Sequence, residues 1–210
     1  AAEGNLPAKE SIMVGRIIET ADCVAEGMDW LCRRDARFAK AYALTGPLPL
    51  RRQADGFTAL LDAITGQQVS VASANAIWAR MEAAGLTGQA AMAAASDEEL
   101  RAAGLSRQKA RYGRALAQAG IDFDGLRGLP DREVIAILTK VPGIGIWTAE
   151  IYAMFALGRA DVFAPGDLAL QEGAKLLLGL EARPSDKALR AIAEDWSPWR
   201  AVAARLLWAY

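Results

Sequence analysis

The sequence predicts an all-helical fold of two lobes, and three observations predict it. Apolar residues recur at three- and four-residue spacing, the period of a helix with one buried face. No alternating β-branched run bounded by turn residues reads as a strand. Ser and Asp stand before the apolar stretches and Gly or Pro after them, as helix starts and stops require. The 210 residues, 53% hydrophobic and 23% charged, suffice for one compact domain or two small lobes around a cleft. No run of about 18 apolar residues is present, so no membrane span is expected.

Along the chain, Ala1 to Pro7 lack the layout of a signal peptide and are expected to be a frayed tail. Ala8 to Ala25 and Met28 to Ala43 read as two helices parted near Gly27. Thr45-Gly46-Pro47-Leu48-Pro49 is a breaker cluster and the expected hinge between lobes. Phe57 to Thr65 is a short apolar helix. Gln67 to Ala84 is another, with Val69, Ala72, Ala76, Ile77 and Met81 on one face and Gly85 ending it. Ser96 and Ser106 cap the next two helices, the second being Arg107 to Ala119. Helices follow from Pro130 to Lys140, Gly145 to Gly158, Leu168 to Leu178, Ser185 to Asp195, and Pro198 to the end, with Ser197 as the last cap. Residues 1–55 together with 160–210 are expected to form one lobe, and 56–159 the other.

The composition excludes much chemistry. There is no histidine, which rules out Ser-His-Asp and Cys-His catalysis and every His-ligated metal. Cys23 and Cys32, nine residues apart, do not match a zinc or iron–sulfur ligand set and read as reduced thiols of a cytoplasmic protein. No metal site built from side chains is expected. The net charge of −1 argues against a nucleic-acid partner until it is mapped. Arg101, Arg107, Lys109, Arg111 and Arg114 form a run without an acidic residue, and a local basic face is enough to hold a phosphate backbone. Solvated helix faces explain such a run equally well.

The strongest local signal is Leu138 to Ala149, in which a helix ends, Pro142-Gly143-Ile144-Gly145 makes a tight turn, and a second helix starts at once. Glycines allow positive φ and close backbone approach. Unpaired amides at the second helix start suit an anion. Such a hairpin grips a phosphate without reading sequence. With Leu138, Val141 and Ile144 bracketing it, a helix-hairpin-helix DNA-binding motif is the expectation over an ordinary turn, which places a DNA-binding cleft between the lobes.

Val141 to Ala149, followed by Val162-Phe163-Ala164-Pro165-Gly166-Asp167, resembles the helix-hairpin-helix, Gly/Pro-Asp superfamily of DNA glycosylases. Ile64 to Val71, Gly104 to Ala110, and Trp196-Ser197-Pro198-Trp199-Arg200 with Ala203 and Trp208 resemble segments of its 3-methyladenine DNA glycosylase II branch, in the same order over about residues 28 to 210. Best-known members carry an N-terminal β-rich domain, for which this chain has no room. The four clustered cysteines of iron–sulfur relatives are absent.

On position alone Asp167 is a helix N-cap. The resemblance implies instead that it is the catalytic carboxylate facing a flipped nucleotide, where it stabilises positive charge on the sugar as the glycosidic bond breaks. Trp147 stands where bifunctional relatives carry a lysine nucleophile, so the resemblance implies a monofunctional enzyme without lyase activity. By periodicity Trp147 fits a core stripe with Ile151 and Met154; the resemblance implies a base pocket of Trp147, Trp208, Ile151 and Leu168. Trp208 lies opposite the stripe of Val202, Leu206 and Leu207, and either packs on the other lobe, lies at the surface, or walls the pocket. A cationic alkylated purine suits a Trp face. Leu168 and Ile151 replace aromatics of the branch and leave the lesion range open.

Expected DNA contacts are Gln67, Gln68, Ser70, Pro142, Gly143, Ile144, Gly145, Thr148, Arg107 and Lys109. Gln68 is expected to fill the gap left by the flipped base, unless it only caps its helix. The resemblance also allows a monovalent cation held by hairpin carbonyls. The expected function is excision of alkylated purines from duplex DNA by a monomeric, cytoplasmic protein acting at a bacterial-type nucleoid. The alternatives are a non-catalytic DNA-binding module, a helical interaction protein, or a sister glycosylase for other lesions.

Overall fold

The computed structural model describes residues 14–210, so the expected tail at Ala1 to Pro7, and most of the helix expected from Ala8, lie outside the described residues. The described chain is all-helical, with one isolated antiparallel bridge between Ile17 and Arg159. The helices are α1 (Ala21–Arg34), α2 (Ala36–Thr45), α3 (Phe57–Gly66), α4 (Val71–Ala83), α5 (Gln89–Ala94), α6 (Asp97–Ala102), α7 (Arg107–Gln118), α8 (Phe123–Leu126), α9 (Asp131–Leu138), α10 (Ile146–Phe155), α11 (Leu168–Leu178), α12 (Asp186–Ile192) and α13 (Arg200–Ala209), with a 3₁₀ turn at Ala193–Trp196. None of these helices is long and apolar enough to cross a membrane.

The buried side chains form two hydrophobic clusters. One draws on α1, α2 and α11 to α13, with Ile18, Met28, Phe38, Leu170 and Val202 among its members. The other draws on α3 to α9, with Leu61, Met81, Leu100, Leu116 and Leu138. Helix α10 serves both: Ala153, Met154 and Phe155 enter the first, and Ala149, Tyr152 and Ala156 the second. Buried Arg159 donates to the carbonyls of Leu126, Arg127 and Leu129, tying the end of α8 to the strap that follows α10.

Four local expectations change. The break near Gly27 does not occur: α1 runs through it, and a Cβ there would lie 2.6 Å from the Trp199 ring. Close packing, not a turn, explains that glycine. The break falls at Asp35, which caps α2 by accepting from the Arg37 amide. Helix α4 starts at Val71 with Ser70 as its cap, leaving Gln67 and Gln68 in the preceding loop. Ser197 does not cap the last helix; its hydroxyl donates to Asp161, and α13 starts at Arg200. Finally, the core face of α13 is wider than the stripe of Val202, Leu206 and Leu207: Ala201 to Leu207 are all buried, and Trp208, opposite that stripe, is half-buried.

Candidate active site

The hairpin is built as its glycines suggested. The Val141 amide donates to Leu138 O (3.1 Å) and the Ile144 amide to Val141 O (3.0 Å), closing the turn. Gly143 has φ 92°, and a Cβ there would collide with the Tyr112 ring beneath it. Gly145 differs: φ is −82° and a Cβ would meet open space. Gly145 caps α10 without a side chain, and the first bond of that helix runs from Ala149 N to Gly145 O. The amides of Ile146, Trp147 and Thr148 precede it, unpaired within the helix and beside exposed Pro142 and Gly145.

Two residues expected at this interface turn inward instead. Ile144 and Thr148 are buried side chains, Ile144 anchoring the turn in the second cluster. Their apolar or compact side chains complete the core under the hairpin, so only backbone there can meet a phosphate. The hairpin carbonyls of Leu138, Val141 and Gly143 already accept hydrogen bonds, and a monovalent cation would have to use their second lone pairs.

Beside the hairpin lies a groove of ≈ 760 Å³ lined by Gln67, Gln68, Val69, Lys109, Tyr112 and the turn itself. Gln67 does not face outward: its Nε2 donates to Gly143 O at 2.8 Å, tethering the α3–α4 loop to the hairpin. Lys109 braces the same loop, its ammonium donating to Thr65 O at 2.6 Å, and burial lowers its pKa. Gln68 is exposed at φ 55°, a left-handed conformation that non-glycine residues seldom adopt. Ser70 accepts from the Ser73 amide and is occupied as a cap.

Arg107 is not brought to this groove. It lines a separate cavity of ≈ 590 Å³ with Arg101, Arg111 and Arg114, around the far side of α7. Asp97 sits among these arginines, and its pKa is lowered first by the hydrogen bond from Arg114. The helical period explains the split: residues 108, 109 and 112 share one face of α7, and 107, 111 and 114 the opposite one.

The carboxylate of Asp167 is where three helices converge. Oδ1 accepts from the amides of Ala169 (2.9 Å) and Leu170 (3.0 Å), so Asp167 is the N-cap of α11. Oδ1 also accepts from Trp208 Nε1 on α13 at 3.2 Å, and Oδ2 from Trp147 Nε1 on α10 at 3.1 Å. The loop before it is pinned by Gln171, whose buried side chain donates to Pro165 O at 2.8 Å. Trp147 is 45% exposed and Leu168 62% exposed, so both stand at the mouth of the site, whereas Ile151 packs half-buried against the first cluster. Trp208 packs against Phe155, with ring centroids 5.6 Å apart. Asp161, close in sequence, is occupied structurally by Arg200 (2.8 Å) and Ser197 (2.7 Å).

Sequence reasoning missed several supports. Gln171, four residues after the cap, carried a readable signal in that spacing. Tyr112, under Gly143, carried none. Glu150, one turn along α10 from Trp147, is buried; burial pushes its pKa up, and Arg190 of α12 bonds it at 2.9 Å. Arg190 in turn reaches Asp186 at 3.6 Å, so α10 and α12 are pinned together near the Gly166 turn.

Residues 61–198 match the model of the HhH-GPD superfamily of base excision DNA repair proteins. The chain belongs to that superfamily. Over 158 residues it is 31% identical to the DNA-3-methyladenine glycosylase 1 of Schizosaccharomyces pombe, covering 71% of this chain and 69% of that one. Over 115 residues it is 30% identical to a putative DNA-3-methyladenine glycosylase of Bacillus subtilis, covering 53% of this chain but 40% of that relative. A solved DNA-3-methyladenine glycosidase of Bacillus halodurans superposes with a TM-score of 0.79 at 33% identity, covering 92% of this chain and 90% of that one. A Schizosaccharomyces pombe 3-methyladenine DNA glycosylase in complex with abasic DNA gives a TM-score of 0.74 at 27% identity, covering 87% and 95%. The family match contains the hairpin and Asp167 of this HhH-GPD protein; Arg51 and Trp208 fall outside it.

Proposed function

We propose that this HhH-GPD protein is a monofunctional DNA glycosylase of base excision repair that hydrolyses the glycosidic bond of alkylated purines, 3-methyladenine among them. The observation that carries the reading is the meeting of Trp147 and Trp208 on the carboxylate of Asp167. Kinship with relatives named for 3-methyladenine, one of them solved on abasic DNA, supports the substrate class.

In this mechanism the amides at the start of α10 hold a backbone phosphate next to the flipped nucleotide. Gln68 enters the stack where the base has left, offsetting part of an unstacking cost on the order of a few kcal/mol. Asp167 serves two ends. Oδ1 is committed to the helix cap and Trp208, while Oδ2 accepts only from Trp147 among the described residues. Oδ2 is therefore the oxygen that faces charge developing on the sugar and orients the attacking water. A cationic purine leaves without prior protonation, which suits a site with no histidine. An indole where a lyase would need an amine makes the enzyme hydrolytic. We further propose that it acts as a monomer in the cytoplasm.

The test is incubation with methylated DNA and chromatography of the released bases. Release of 3-methyladenine, with abasic sites left uncut and no adduct trapped by borohydride, is expected. The second reading, a DNA-binding module in which Asp167 only caps α11, draws on the observed cap. It predicts DNA binding with no base released.

A further inference from the structure

Two arginines at the rim of the Asp167 site carry charge without an acidic partner. Residues 51 and 52 lie between two backbone anchors. Buried Arg205 of α13 donates through Nε (3.2 Å) and Nη2 (2.8 Å) to the carbonyl of Leu50, and the amide of Gln53 donates to Phe155 O at 3.0 Å. Between them Arg51 is held at φ 53°, in the left-handed region, where a side chain is strained. Arg51 and Arg52 are exposed, and among the described residues neither forms an ion pair. Burial, and after it the proximity of these two arginines, lowers the pKa of Arg205 to about 10, so three like charges gather at this rim. The two exposed guanidiniums part. Arg52 packs against Gly158, where a Cβ would collide with it, while Arg51 lies over the Trp208 ring, its Cζ 5.6 Å from the centroid. Trp208 is the indole whose Nε1 bonds Asp167, so one ring links Arg51 to the carboxylate. A guanidinium resting on a ring keeps N–H donors at its edge, in a fork that fits a phosphate. Strain and like-charge repulsion both oppose this placement, and a bound anion offsets them.

We infer that Arg51 binds a second backbone phosphate of the lesion strand, on the opposite side of the flipped nucleotide from the hairpin. The inference rests on the function proposed above, in which that nucleotide faces Asp167. The hairpin grip lies at the start of α10, and Trp208 packs on Phe155 at its end. The 10 residues of α10 span about 15 Å, several times the roughly 3.4 Å of duplex axis between successive phosphates of one strand. The two grips therefore take different phosphates. Asp167 lies between them, bonded to Trp147 on the hairpin side and to Trp208 on the Arg51 side. Holding the strand at both ends fixes the sugar against the carboxylate, where a single grip would leave it free to swing.

The experiment measures binding to duplexes that carry one stable abasic analogue, with each nearby phosphate of the lesion strand replaced in turn by an uncharged methylphosphonate. It uses the full chain as wild type, Arg51→Met, Arg51→Lys and Arg52→Met. In wild type, neutralising the phosphate that Arg51 holds is expected to weaken binding about three- to tenfold, the span of one net hydrogen bond. In Arg51→Met the same replacement is expected to cost nothing further, while replacement of the hairpin's phosphate costs what it does in wild type. The slope of log affinity against log salt is expected to shrink by about 0.9, as for one lost phosphate contact. Arg51→Lys, a charge without the fork, is expected to fall between. Arg52→Met removes an equal charge one residue away and sets the effect of net charge alone, a general loss coupled to no single phosphate. An Arg51→Met protein in which every methylphosphonate costs what it does in wild type overturns the inference and leaves the glycosylase reading standing. The expected coupling in a wild type that releases no 3-methyladenine from methylated DNA would keep this phosphate site and remove the glycosylase reading. A wild type that binds none of these duplexes overturns both.

Discussion

The hairpin groove and the Asp167 site do different work with different materials. The hairpin acts through backbone: two glycines, a few unpaired amides and two side chains buried beneath them. The Asp167 site acts through side chains brought from 20 residues before it and 41 residues after it in sequence. One region is local, and a grip made by backbone amides would not depend on nucleotide sequence. The other is assembled by tertiary packing around one carboxylate, where the proposed chemistry falls to a single oxygen. Damage to the first should therefore weaken DNA binding uniformly, and damage to the second should slow excision while binding persists.

The largest expected effect breaks that division at the carboxylate. Asp167→Asn keeps an acceptor for the amides of Ala169 and Leu170, so α11 stays capped. Its amide nitrogen would then meet the Trp147 N–H, donor against donor, and the charge facing the sugar is gone. Excision should fall about 100- to 1,000-fold, with DNA affinity within a few-fold of wild type. A variant that excises 3-methyladenine at near wild-type rate removes Asp167 from the chemistry.

The next effect separates the two hairpin glycines. Gly143→Val forces a branched side chain into φ 92° above Tyr112. Left-handed strain and overpacking together amount to about 2 to 5 kcal/mol at the turn. Binding should drop at least about tenfold on every duplex, damaged or not, with a shallower salt dependence. Gly145→Ala meets no neighbour at φ −82°, so its thermal stability should stay within about 0.5 kcal/mol of wild type. Weaker binding by this variant measures how closely DNA approaches; unaltered binding by it would count against a phosphate at that turn.

The same contrast accounts for what the sequence could tell. Helix starts governed by neighbouring residues were legible: Ser96 and Ser106 cap their helices, Gly85 ends α4, and α11 spans Leu168–Leu178 as expected. The hairpin was legible because Pro142-Gly143 marks its turn locally, Gly143 alone of its two glycines requiring positive φ. Long-range packing was not. Gly27 looked like a break because nothing local shows that Trp199 presses on it. The last helix showed only one apolar stripe because nothing local shows that Arg205 finds acceptors at Leu50 and Ala201 and is fully buried. Asp167 was readable as a cap and, only by resemblance, as a carboxylate site; its oxygens hold the cap and the two indoles at once. Arg107 and Lys109, neighbours in a basic run, parted because a helix turns them to different faces.

A smaller effect probes the Gln68 loop, proposed above to fill the DNA stack. Gln68→Ala should weaken binding to a duplex with a stable abasic analogue about tenfold, part of the few kcal/mol that unstacking costs. Excision from duplex should slow more than from single strands, and Gln68→Leu, which fills the same space, should largely restore binding. Unchanged duplex binding and excision in Gln68→Ala would put the wedge elsewhere in the loop.

The smallest effect tests whether the two regions are mechanically joined. Gln67 tethers the Gln68 loop to the hairpin through one side-chain bond to Gly143 O. Such a bond is worth about 1 kcal/mol net, roughly a fivefold change. Gln67→Ala should leave the salt dependence of DNA binding as it is, because no phosphate contact is lost. It should slow duplex excision about fivefold while single-strand excision holds, because only the duplex requires the loop to stand at a fixed distance from the gripped phosphate. Gln67→Glu should do worse, since a carboxylate facing the Gly143 carbonyl repels where the amide attracted. Lys109 continues to brace the loop at Thr65 in both variants, so the loop is loosened rather than unfolded. Equal slowing on duplex and single strands would show that the tether serves only the fold. Slowing confined to duplex would show that grip and wedge are set at one spacing by a single amide.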